Sequence, residues 1–341
     1  MRQITIIGLT TLAALLASCA SNTPPGGGSP NGAADTTPPT VLSVTPASGA
    51  AGVTADAVIT VTFSEAMDRA ATAAAYSSTD LSAGSVTFEW NAAGTILTIR
   101  PKNPLAYKHA VGLVEPPLQY SFGFTAVARD VAGNSLAAFN SNFTTLRFVP
   151  VVLFSQAALD GTVTSDGAVD TTNGLIFAGD QASNVSNRAF LSFDLSSIPA
   201  STNASAVQAA TLEVRRSSMA GTPFTSLMAP CTGQFCPTNA PVQLSHVSYG
   251  ASLGWLAYGT VVLQSLGVFD SIFLDYGWRS ADVLSAVQSD LMNRAIRGNR
   301  SQYRLSFPLA SDADNSYDNV GFSSGDHNTW APKLNITLLI P

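Results

Sequence analysis

Short runs of β-branched and aromatic residues that change face at every step, each closed by turn-forming residues, confine this 341-residue chain to sheet structure. In Val58-Ile59-Thr60-Val61-Thr62-Phe63, Val61 and Phe63 face one side while Thr60 and Thr62 face the other. A half-buried strand needs that period of two, and a helix cannot satisfy it. Val41–Val44, Ser85–Trp90, Ile96–Arg100, Ser121–Ala126 and Asn142–Phe148 are further short runs of strand-forming residues. Later, Leu191, Phe193 and Leu195 alternate with Phe190, Ser192 and Asp194, which predicts a strand with one apolar face. Only 11% of residues are charged and 46% are apolar, a texture of exported β-proteins rather than of cytosolic helical enzymes. One helix is expected, capped by Ser280, with Val283, Leu284, Val287, Leu291 and Ile296 near 3.6-residue spacing and Gly298 as its stop.

At the N-terminus, Arg2 precedes an apolar segment, Ile4 to Leu16, that is too short to span a bilayer and ends in Leu15-Leu16-Ala17-Ser18-Cys19. This resembles the lipobox of bacterial lipoproteins. The resemblance implies a signal peptide over 1–18, acylation of Cys19 as the mature N-terminus, and a lipid-anchored protein of the cell envelope, at the outer membrane or cell surface. Residues 19–37, which include Pro24-Pro25-Gly26-Gly27-Gly28, read as a flexible tether that would hold the folded part about 20–25 Å from the membrane. The chain carries 16 Lys and Arg against 22 Asp and Glu, a net charge of −6. A basic footprint for nucleic acid is therefore missing, and nucleic acid is not an expected partner.

The length beyond the tether exceeds what one core usually fills, so two domains are expected. Residues 38–147 carry Asp35-Thr-Thr-Pro-Pro-Thr-Val at their entry, then Thr45-Pro-Ala-Ser-Gly, Val61-Thr-Phe-Ser-Glu-Ala-Met-Asp68 and Asp130-Val-Ala-Gly-Asn134. As a set these resemble the bacterial Ig-like domain of surface-layer proteins and adhesins, which implies a β-sandwich spacer without catalytic positions. Residues 148–341 carry Gly179-Asp180, Arg188-Ala-Phe-Leu-Ser-Phe-Asp-Leu-Ser-Ser-Ile-Pro199, Gln302-Tyr-Arg-Leu-Ser-Phe307 and Pro332-Lys-Leu-Asn-Ile-Thr337. This half resembles the DNRLRE-type domain, a β-jelly roll of bacterial and archaeal surface proteins, although the namesake motif itself is missing. The expected fold is all-β, an Ig-like β-sandwich followed by a β-jelly-roll sandwich carrying one short helix.

Cys231 and Cys236, in a proline-flanked loop, would form a local disulfide in an oxidising compartment; a metal site is the alternative reading. Three acidic clusters could hold a structural calcium. The densest offers Asp312, Asp314 and Asp318, while Asp160, Asp166, Asp170 and Asp180 punctuate the domain entrance. The competing reading is solvated turns in which Asp caps its own backbone. No cofactor is expected otherwise. For carbohydrate the candidates are exposed aromatics, Trp255, Trp330, Tyr258 and Tyr317 first, with Tyr276 and Trp278 behind them. His109, His246 and His327 are far apart and no nucleophile elbow, zinc-helix or phosphate-loop motif is present, so an enzyme is not expected. The expected function is a polysaccharide- or cell-wall-glycan-binding module displayed on an Ig-like spacer. The alternatives are a structural or protein-adhesive surface module and a degenerate polysaccharide-processing enzyme.

Overall fold

In the computed structural model, which describes residues 34–231, 239–271 and 275–341, the alternating runs become strands wherever a second sheet covers their apolar face. Pro38–Pro341 make up one compact unit. The lipobox with Cys19, and the tether as far as residue 33, lie outside the described residues. No helix among the described residues is long and apolar enough to cross a membrane.

The first sandwich contains β1 (Val41–Thr45), β2 (Ala50–Val53), β3 (Ile59–Phe63), α1 (Arg69–Ala74), β4 (Tyr76–Ser77), β5 (Val86–Trp90), β6 (Ile96–Pro101), β7 (Lys108–His109), β8 (Gln119–Phe124) and β9 (Phe139–Thr145). Sheet β1-β3-β6-β5 faces sheet β2-β9-β8-β4, and between them lies a core that includes Ile59, Val61, Phe63, Leu97, Ile99, Phe122, Phe124 and Phe143. The alternation in β3 behaves as expected, with Ile59, Val61 and Phe63 buried and Thr60 and Thr62 only partly so. Asp68 caps α1 by accepting from the amides of Ala70 and Ala71, each at 3.0 Å. The hairpin at Asp130–Asn134 closes on Gly133 at φ +99°, a conformation that glycine adopts without a Cβ clash. Asp130 Oδ1 accepts from the Asn134 amide at 2.8 Å.

The second half contains β10 (Arg147–Phe154), β11 (Gly161–Thr164), β12 (Val169–Asp170), β13 (Leu175–Asp180), β14 (Ser186–Asp194), β15 (Val207–Ala220), α2 (Pro223–Ser226), β16 (Val242–Val247), β17 (Gln264–Asp270), β18 (Gly277–Asp282), α3 (Leu284–Met292), β19 (Arg300–Ser306), β20 (Asp318–Ser323) and β21 (Lys333–Ile340). β10, β21, β15 and β18 pair in that order, and β14, β19, β16 and β17 pair in theirs. Taken along the chain, these eight strands visit the two sheets in the double Greek-key order of a jelly roll. β15 is long enough to serve two neighbours on one side, β21 beside its first half and β20 beyond the bulge at Arg216–Ser218. β13 then turns the corner to β14 through only two residue pairs, Gly179 with Asn187 and Asp180 with Ser186. Leu191, Phe193, Leu212, Val214, Tyr303, Phe322, Leu334 and Ile336 fill the space between the sheets.

Two local expectations change. The second face of β14 is not polar and solvated: Phe190 and Ser192 are fully buried there. The long connection from β16 to β17 covers that face, and Leu253 and Ala257 pack with Phe190 and Val163 in a small satellite core. The helix starts later than Ser280, because Ser280 lies in β18, paired with Glu213 of β15. Asp282 Oδ1 accepts from the Leu284 amide at 2.8 Å, and α3 buries Ala286, Val287 and Leu291 against the core. Ile296 lies beyond its end and is 86% exposed.

The junction of the two sandwiches is continuous backbone and shared bonds. β7 pairs in parallel with β10, His109 stacks on Phe148 at 4.9 Å, and the Ala110 amide donates to Phe148 O at 2.8 Å. The Arg147 guanidinium donates to the carbonyls of Leu113, Glu115 and Pro341.

Candidate functional site

The connection between β16 and β17 is the part of the jelly roll that most resembles a binding element. Side chains that a bare sheet face would show to water hold it down. Gln302 accepts from the amides of Tyr249 and Gly250 at 2.8 and 3.1 Å and donates to Gly250 O at 2.8 Å. Arg304 donates to Thr260 O at 3.0 Å, and burial, aided by the charge of Arg188, pulls its guanidinium down to about 10. Arg188 lies 4.1 Å over the Tyr258 ring and donates to Tyr258 O. With its backbone fixed on one side, the connection presents a one-turn segment, Trp255–Gly259, to solvent.

Trp255 is 63% exposed and Leu256 stands beside it, also exposed. They line a groove of about 290 Å³ whose opposite wall is the turn Thr164-Ser165-Asp166-Gly167. Thr164 Oγ1 donates to Asp166 Oδ1, which fixes that carboxylate on the turn. The groove thus combines a flat apolar ring with a fixed carboxylate and hydroxyls, a mixture suited to a ligand with an apolar face and a polar edge, such as a sugar ring.

The other aromatic candidates are placed differently. Tyr258 lines the groove, but its ring lies under Arg188 and its hydroxyl is bonded to Ser186. Trp330 is half-buried, stacked on His327 at 4.6 Å and covered by the Arg215 guanidinium at 3.5 Å. Its ring is already occupied by protein. Tyr317 is exposed in the loop before β20 and does not line the groove. On the outer face of the β10-β21-β15-β18 sheet, exposed Phe154 and Trp278 flank Lys333, whose ammonium is 6.0 and 5.3 Å from the two rings. Trp278 is directly opposite Arg215 in register. Phe154 and Lys333 carried no signal in the sequence, since one residue in each alternating pair faces out and nothing local says which face is covered.

The acidic residues separate into two kinds. Asp166 and Asp170 serve their own turns, Asp170 Oδ1 accepting from the Thr172 amide at 2.9 Å. Asp314 does the same, accepting from Ser316 N at 2.7 Å. Asp312 also serves its own turn, accepting from Asp314 N at 3.3 Å, but it and Asp318 meet Asp180, with one carboxylate oxygen of each within 4.8 Å of the others. Asp180 was legible only as part of a loose acidic series, because its partners lie more than 130 residues away. It is fully buried, and burial pushes its carboxyl above the ordinary range; the nearby Ser311 hydroxyl opposes this, and the charges of Asp312 and Asp318 add to it.

Asp160 is a structural clamp. Its carboxylate accepts from Ser192 N at 2.9 Å and Gly325 N at 2.8 Å, tying β14 to the loop before β21. Burial nevertheless pushes it up to about 7, against the pull of the Ser155 hydroxyl and those two amides. The folded protein therefore keeps the proton to near neutrality while the unfolded chain releases it near pH 4, so stability present below pH 4 is lost as pH rises through 7. Urea unfolding of the wild type from pH 4 to 8 should show a fall on the order of 3–4 kcal/mol from this group. Asp160→Asn, measured alongside, should flatten that slope; an unchanged slope would reject the assignment.

His246 Nε2 meets both Asp290 oxygens at 2.9 and 3.0 Å, and Arg297 Nη1 reaches Oδ1 at 2.6 Å. The His246 and Asp290 side chains are each 1% exposed beneath α3, so this pair braces the sheet against the helix out of reach of a substrate. A cavity of about 630 Å³ lies by the junction around Arg147, Thr202 and Pro341. Its charged lining group, Arg147, is spent on the three carbonyls already named. Cys236 lies outside the described residues, and so does its expected pairing with Cys231.

No curated protein matches the chain significantly. Among solved structures, an L,D-transpeptidase from Mycobacterium smegmatis is similar at 20% identity and a TM-score of 0.23, over 45% of this chain and 59% of that one. The S-layer protein SbsC is similar at 16% identity and a TM-score of 0.22, over 46% and 23%. A structure of domains 1–6 of SbsC gives 14% and 0.22, over 72% and 40%. The chain thus spans 59% or less of the length of each of these proteins. Residues 35–145, the stretch that folds as the first sandwich, match the bacterial Ig-like domain family.

Proposed function

We propose that this protein is a non-catalytic module of the bacterial cell surface, lipid-anchored through Cys19, in which the Ig-like sandwich is a spacer and the jelly roll binds polysaccharide. The Ig-like match and the lipobox sequence support the location. The likeness of the second half to DNRLRE-type domains supports the ligand class, and the burial of the His246–Asp290 pair favours binding over catalysis. The observation that carries the binding reading is the exposed Trp255 on the rim of a groove whose far wall is Thr164–Gly167. A sugar ring stacked on Trp255 would bury apolar C–H faces while its hydroxyls reach Asp166.

Trp255→Ala in the full chain, assayed on a panel of cell-wall and extracellular glycans, should weaken retention by about 30-fold or more, the loss typical of an aromatic anchor of about 2 kcal/mol. Its melting temperature should stay close to wild type, because the ring makes few core contacts. Wild-type retention by this variant would remove the groove as the site. The outer sheet face with Phe154, Trp278 and the exposed Val152 supports the protein-adhesive reading as the second choice.

A further inference from the structure

We infer that Asp180, Asp312 and Asp318 form a calcium site that locks the corner of the jelly roll. Asp180 closes β13 and Asp318 opens β20, and the two are direct partners in the antiparallel register. Asp312 arrives from the loop between β19 and β20. That loop is docked separately, through Asn315 and Asn184, which exchange two hydrogen bonds of 2.9 Å.

The cluster departs from an ordinary acidic turn in one respect. Asp180 has no exposed surface, and among the described residues neither of its oxygens meets a donor at full hydrogen-bonding geometry, with only the Ser311 hydroxyl and the Asp312 backbone close by. Buried carboxylates are expensive unless paired or ligated. No ion pair among the described residues involves any of the three aspartates. Two oxygens bound to one calcium at 2.3–2.6 Å can be at most about 5 Å apart, and the three carboxylates meet that limit.

The surrounding backbone is shaped to keep them together. Gly179 has φ +131°, and a Cβ there would stand 2.1 Å from Asp318 O. At Gly221 a Cβ would stand 1.9 Å from Tyr317 O and 2.3 Å from Asp318 Oδ1. The Thr222 amide donates to Asp318 Oδ1, so the turn after β15 also braces the cluster. Hard oxygen ligands on an irregular loop favour calcium; zinc would call for nitrogen or sulfur, and magnesium for stricter octahedral geometry and more water. Calcium here would join β13, β20 and the loop before β20 at the point where one sheet turns into the other.

The test is thermal unfolding of the full chain, stripped with chelator and then titrated with calcium chloride or magnesium chloride. At a calcium excess of about a hundredfold over Kd, the wild type should melt roughly 5–10 °C higher, and the same magnesium concentration should do much less. Asp180→Asn and the milder, half-buried Asp312→Asn should each abolish the calcium shift while the proteins remain folded. Asp314→Asn, outside the cluster, should keep it. A stripped wild type whose melting ignores calcium would overturn the site, and so would equal loss of the shift in Asp314→Asn.

Discussion

Asp270→Ala should be among the most damaging single substitutions in this protein, costing about 3–5 kcal/mol, because it removes the buried carboxylate that a buried guanidinium is paired with. Arg216 projects from β15 into the sandwich and meets Asp270 at the end of β17, 3.2 Å from Nη1 to Oδ2, with the two side chains 1% and 0% exposed. Arg279 of β18 approaches the other carboxylate oxygen at 3.0 Å. One carboxylate therefore holds two cations and joins strands of both sheets. Removing it takes that carboxylate from Arg216 in a medium that solvates charge poorly, whereas removing both members of the pair removes the buried cation as well. Arg216→Met combined with Asp270→Ala should accordingly recover much of the loss. Equilibrium denaturation of the two variants and the wild type decides this: a single variant within 1 kcal/mol of wild type, or a double variant worse than the single, would defeat the argument.

Phe193→Ala should cost a similar amount, about 3–5 kcal/mol, for a different reason. Phe193 is fully buried near the C-terminal end of β14, edge-on to Tyr303 of β19 at 6.0 Å between ring centres. Tyr303 is itself held, donating nothing to solvent and bonded by the Ser301 hydroxyl at 2.7 Å, so it cannot swing in to fill the space. Truncation would thus lose the transfer energy of the ring and leave a cavity between two paired strands. Phe193→Leu, which keeps much of the volume, should cost well under half as much. The comparison is made by denaturant midpoints at constant m-value, and equal losses for Ala and Leu would show that shape rather than volume governs the position.

Much of the fold could be read locally. The Thr60, Thr62 alternation of β3 and the Asp130–Asn134 hairpin depend on neighbours within five residues, and the structure follows them. Ser280 misled because an N-cap residue and a strand residue look alike in sequence; what decided its state was Glu213, 67 positions away, offering a strand edge. Phe190 misled in the same way, since its alternation with Leu191 is equally consistent with a solvated face and with a face covered by another segment.

The candidate site shows the same division. Trp255 and the acidic character of the loop before β20 were visible as residue types in polar surroundings. Whether Trp330 is a free platform depended on Arg215 and His327 reaching its ring, and whether Asp314 or Asp180 joins Asp312 and Asp318 depended on the register of β13 against β20. The sequence by itself determined the all-β class, the Ig-like character of the first stretch and the supply of aromatics and carboxylates, because period, turn chemistry and composition are properties of short segments. Only the tertiary structure decided which of those side chains meet, are covered or stay open, because strand register and loop docking bring together atoms more than a hundred residues apart.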